Sequence, residues 1–115
     1  MGKNNMNQAY QGDVSLIQCE EVNKAAEKIQ FKPIPQNGVV VALGEVTGHS
    51  HRIVKEREDV VVEFGQDERG FYFRCPSGGA KIVHEEHDVQ VLNPGITFVG
   101  AQWEYNDLND RKVID

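Results

Sequence analysis

Val39-Val40-Val41-Ala42-Leu43-Gly44-Glu45-Val46-Thr47-Gly48-His49-Ser50-His51-Arg52-Ile53-Val54 is the stretch on which the fold turns. It opens as a short run that is apolar on both faces, and Val39, Val41 and Leu43 set a period of two. Followed in strict alternation, that phase continues through Glu45, Thr47, His49, His51 and Ile53. Gly44 and Gly48 mark a bulge or a sharp bend along it. If the bend adds no residue, both histidines point with the core-facing valines, at the mouth of the interior. Side chains at i and i+2 of a strand leave from one face, roughly 6–7 Å apart at their Cα atoms. Two imidazoles spaced as His49 and His51 can therefore reach one ion.

Outward from this stretch the strand pattern persists. Toward the C-terminus, Lys55-Glu56-Arg57-Glu58-Asp59 is a charged turn before Val60-Val61-Val62-Glu63-Phe64. Residues 65–70 form a polar loop, and Phe71-Tyr72-Phe73-Arg74-Cys75 completes a hairpin with Phe71, Phe73 and Cys75 on one face. After the turn Pro76-Ser77-Gly78-Gly79, Ala80, Ile82 and His84 share a face. Val89-Gln90-Val91-Leu92, the turn Asn93-Pro94-Gly95 and a long last strand over residues 96–105 follow. Toward the N-terminus, Lys32-Pro33-Ile34-Pro35-Gln36-Asn37-Gly38 breaks regular structure, with Asn37-Gly38 a tight-turn signal. Residues 20–29 carry Val22, Ala25, Ala26 and Ile29 at helical spacing, enough for one or two turns. A first strand over residues 14–19 is apolar on both faces and is expected to be central or sandwiched.

This pattern predicts one all-β domain, a small sandwich or barrel of about seven strands with at most one short helix. Residues 1–9 read as a flexible arm, 10–105 as the domain and 106–115 as a polar tail. Val41, Leu43, Phe71, Phe73, Ile82 and Phe98 are expected in the core.

Composition excludes several classes. A length of 115 residues is one domain's worth, and a formal charge of −6 without any basic run argues against nucleic acid. No apolar run is long enough to span a bilayer, and the Asn-rich first residues lack a secretory signal. A cytoplasmic protein is expected, with no membrane partner. Cys19 and Cys75 have no CxxC spacing and read as small buried hydrophobes.

The remaining two histidines form a second pair, His84-Glu85-Glu86-His87. With Glu85-Glu86 as a two-residue hairpin loop they would be cross-strand neighbours, although a longer loop over residues 83–88 suits Glu-Glu equally well. Glu85, Glu86 and Glu45 are carboxylates close by in sequence. An imidazole and carboxylate shell suits a divalent ion: zinc, iron, manganese or nickel. The candidate ligands are His49, His51, His84 and His87, with Glu85 or Glu56 as accessory. The competing reading makes the histidines structural, hydrogen-bonded to backbone or solvated, in a non-enzymatic interaction or assembly protein such as a phage component. A metal-free proton-shuttling histidine is a third. A small molecule, a protein partner or a homo-oligomer is compatible with these readings. Trp103 and Tyr105 form an aromatic patch suited to core packing or to stacking a ligand.

Gln11-Gly12-Asp13-Val14, Gly44 to His51, His84 to His87, Pro94-Gly95, Gln102 to Tyr105 and Arg111 to Asp115 occur in this order along the chain. Together they resemble a small family of uncharacterised bacterial and phage proteins. The resemblance covers nearly the whole expected domain and implies no established activity. It departs at Trp103, where that family prefers a basic residue, and at residues 20–29, which are longer here. A weaker resemblance is to cupins, through His49-Ser50-His51 followed by Glu56. The second cupin motif is out of order here, because His84 and His87 precede Pro94-Gly95.

Overall fold

The computed structural model describes residues 7–12, 14–43 and 50–100, with the backbone alone at residues 42 and 43. Among them the elements run β1 (Asn7–Gln11), β2 (Val14–Gln18), α1 (Glu20–Ala26), β3 (Lys32–Pro33), β4 (Val39–Leu43) and β5 (Ser50–Lys55). They continue β6 (Glu63–Gln66), β7 (Phe71–Cys75), β8 (Ala80–Val83), β9 (Gln90–Val91) and β10 (Gly95–Gly100). Six strands pair in the order β1-β2-β10-β7-β6-β3, and four in the order β4-β5-β8-β9. Every ladder is antiparallel. Neither sheet closes on itself, so the domain is a sandwich and not a barrel.

Alternation explains the layering. Val14 and Leu16 of β2, Phe73 and Cys75 of β7, and Val99 of β10 face the smaller sheet, where Val39, Ile53, Ala80 and Ile82 meet them. The opposite face of the larger sheet is not left to solvent. Ile17, Tyr72 and Phe98 bury there beneath Val22 and Ala26 of α1. Phe98 lies beside Ile17 on one strand and Tyr72 on the other, so the three form one row across the sheet. The single core expected from the sequence is thus two. Phe98, assigned to the core with Phe73, lies on the other side of the sheet because β10 alternates Phe98 against Val99. Val41 and Phe71 pack half-buried against the first core. The side chain of Leu43 lies outside the described residues.

Three strands beyond the expected number have local causes. Asn7–Gln11, which begins within the stretch read as an arm and runs into the expected domain, pairs along its whole length with β2 around a turn at Gly12. Lys32–Pro33 adds two residues to the edge beside β6, a position proline tolerates because no ladder donor is needed there. Residues 39–54, read as one strand with a bend, reverse instead: β4 and β5 are antiparallel neighbours, with a bulge between Val40 and Ala42. The turn into β4 closes with the Gly38 amide donating to the Pro35 carbonyl at 2.9 Å. Gly38 holds a φ of 82° with the Ile53 carbonyl oxygen 2.4 Å from where a Cβ would stand, which leaves no room for a side chain.

Val60 and Val62 are buried and Val61 is exposed, as alternation demands, although the ladder itself starts only at Glu63. Cys19 and Cys75 are both free and buried, in keeping with their reading as small hydrophobes. Burial pushes the Cys75 thiol up from its ordinary value. Burial, and then the hydrogen bond to Asp67, pushes the Tyr72 hydroxyl up as well. Both groups hold their protons more tightly folded than unfolded. Their contribution to stability is therefore complete below the unfolded values, about 8.5 for cysteine and about 10 for tyrosine, and declines above them. Urea unfolding at pH 8 and pH 10.5 should show a lower midpoint at the higher pH, and Tyr72→Phe should flatten the part of the decline above pH 10. An unchanged slope in that variant would remove Tyr72 from the explanation.

Candidate functional site

The site is built at one end of the smaller sheet. In β5 the inward face carries Ile53 and, two residues earlier, His51, so the strand's period buries the imidazole to 6 % exposure. Arg52 of β5 lies opposite Val83, the last residue of β8, and the chain then runs through residues 84–89 before β9. This connection is the longer loop and not a two-residue hairpin turn. It carries His84, half-buried, and His87, exposed, back over His51.

Three imidazoles converge. The ring centroids of His51 and His84 are 4.3 Å apart, those of His84 and His87 4.6 Å, and those of His51 and His87 5.7 Å. His87 lies against the β1–β2 turn, where a Cβ on Gly12 would stand 2.7 Å from its Nε2. Glu85 reaches back to β5, its Oε1 accepting from the Ser50 amide at 3.2 Å. His84 Nδ1 accepts from the Glu86 amide at 3.0 Å. A neutral His84 in that bond carries its proton on Nε2.

Not every expected ligand joins them. Glu56 follows the opposite end of β5, its amide donating to the Gly79 carbonyl at 2.7 Å. Four strand residues lie between it and His51, and the five steps span roughly 16 Å of extended chain. The strand direction that places His51 at the site thus carries Glu56 away from it. His49, Glu45, Trp103 and Tyr105 lie outside the described residues. Among the described residues no group of three or more His, Cys, Asp or Glu stands ready as a metal shell.

Gln11 is the residue beside His51 that the strand pattern does not reveal. It ends β1 at 2 % exposure, a buried polar side chain. Its Nε2 donates to the carbonyls of Ile82 at 3.1 Å and Asp88 at 2.8 Å, and its Oε1 stands 2.9 Å from His51 Nδ1. The sequence signal for it is its place in the Gln11-Gly12-Asp13-Val14 motif.

No helix among the described residues is long and apolar enough to cross a membrane. No curated protein and no solved structure matches the chain. A family model described as a domain of unknown function, DUF8820, matches residues 10–102, which take in the two-sheet core and all three converging histidines. The chain belongs to that family of uncharacterised domains.

Proposed function

We propose that the domain is a metal-binding module in which His51, His84 and His87 share one divalent ion. The observation that carries this reading is the ring spacing. With zinc–nitrogen bonds of about 2.0–2.1 Å and tetrahedral angles, the centroids of three ligating imidazoles stand about 5 Å apart. The three separations, 4.3, 4.6 and 5.7 Å, bracket that value. Three imidazole donors favour zinc, with iron, nickel and manganese as competitors. Glu85, which reaches back to β5, is the accessory carboxylate, and His49 is a further donor on grounds of sequence alone. His51, His84 and His87 would hold the ion, with His87 exposed, and there it would supply Lewis-acid chemistry.

Binding requires His84 to exchange its Glu86 hydrogen bond for the ion. Such a bond contributes about 0.5–1.5 kcal/mol net, small beside the free energy of metal coordination. Protein purified without a polyhistidine tag should melt higher with one equivalent of zinc than with EDTA, and the Glu86 amide should lose hydrogen-exchange protection as zinc binds. Melting curves that coincide with zinc and with EDTA would overturn the proposal.

A second reading, an interaction or assembly protein with structural histidines, has one observation in its favour. Val91, at 58 % exposure on the edge strand β9, and Val89 beside it at 51 % are large apolar side chains left in solvent. Light scattering that finds a large closed oligomer, together with metal-independent melting, would favour it.

A further inference from the structure

Gln11 makes three hydrogen bonds whose directions are determined by elementary chemistry. An amide nitrogen has two hydrogens and no acceptor, and here two backbone carbonyls, of Ile82 and Asp88, face it. The reverse orientation would set the amide oxygen against both carbonyls, acceptor against acceptor. The nitrogen therefore faces the carbonyls, and Oε1 is left for His51. Because Oε1 has no hydrogen to give, the bond at 2.9 Å exists only if His51 Nδ1 is the donor. A neutral His51 then has its lone pair on Nε2.

The two carbonyls that Gln11 grips have a further meaning. Ile82 stands before, and Asp88 after, the segment carrying His84 and His87, so one side chain joins both ends of that segment and the imidazole of β5. The next residue, Gly12, has a φ of 61° and provides the space against which His87 lies. We infer that Gln11 is the positioning residue of the histidine site: it fixes the Nδ1–H tautomer of His51, which aims Nε2 at the shared ion, and clamps the loop bearing the other two rings. This rests on the proposed metal site for its consequence in binding, though the tautomer and the clamp stand without any ion. A histidine ligand held through its other ring nitrogen is the arrangement that makes metal affinity depend on an outer partner, commonly by 10–100-fold.

The test uses the full chain with ¹⁵N-labelled histidine. Metal-free wild type should show His51 as the Nδ1–H tautomer in long-range ¹H–¹⁵N spectra. Gln11→Leu should release it into a tautomer mixture and lower zinc affinity about 10–100-fold. Gln11→Glu can still accept from Nδ1 but cannot give two hydrogens to the carbonyls. It should keep the tautomer while amide exchange at residues 84–88 accelerates. An Nε2–H tautomer in wild type, a measurement that needs no variant to fold, would overturn the inference. So would a folded Gln11→Leu with an unchanged tautomer. If wild type binds no zinc, the shared-ion reading fails alone, and the tautomer in Gln11→Leu still decides the role of Gln11.

Discussion

Replacing Phe73 by Ala should lower stability by about 3–5 kcal/mol, the usual cost of deleting a fully buried aromatic ring and leaving a cavity. Phe73 is 0 % exposed in β7, which pairs with β6 on one side and β10 on the other. Its ring stacks near Phe64 at 6.1 Å and Phe71 at 6.2 Å, and it fills the space between the two sheets. Small domains have only about 5–15 kcal/mol in total, so the thermal midpoint should fall by roughly 10–20 °C. Val61→Ala, at 63 % exposure one residue from two buried valines, should stay within about 0.5 kcal/mol of wild type. Urea unfolding checks both, since a true stability change moves the midpoint at constant slope. Equal midpoints for the two variants would mean that the sheets do not pack through Phe73.

The sandwich is legible in the sequence wherever one period of two persists. Phe71 to Cys75, Ala80 to Val83 and the apolar first strand name their buried faces directly. What alternation cannot state is how many layers cover a sheet. Tyr72 looks outward by period and Phe98 is expected with Phe73, yet both lie on the far side of the sheet, which only the docking of α1 makes a second core. Nor can it separate a bend from a reversal. Gly44 and Gly48 suit either, and the pairing of β4 with β5 decides for reversal.

The histidine site divides along the same line. His51 lies in phase with Ile53, because two residues of strand geometry suffice for that. The convergence of His84 and His87 on it depends on the antiparallel β5–β8 register, which no local pattern encodes. Glu56 lies away from the histidines because each residue along a strand adds about 3.3 Å. Gln11 was missed because its partners are 40, 71 and 77 residues away.

The second large effect is the coupling among the three imidazoles. An ion bound at a hundredfold excess over its dissociation constant stabilises the folded state by about 2.7 kcal/mol. For a domain of this size, that raises the thermal midpoint by about 10 °C. His84→Ala should abolish most of the zinc-induced rise, and so should His51→Ala. The double variant should lose little more, because ligands of one ion act as a unit. The quantity to compare is the rise itself. His51→Ala also leaves the buried Gln11 oxygen without its donor, which costs about 1–3 kcal/mol even in the absence of metal. Two independent halves of the rise, adding in the double variant, would mean two separate sites.

The most direct measurement is a zinc titration of the ¹⁵N-histidine protein, followed at every ring nitrogen. With one shared ion, His51, His84 and His87 shift together and saturate at one equivalent, and the ligating nitrogen of His51 is Nε2. Shifts confined to exposed His87, or rings that respond at different equivalents, would contradict a single metal centre.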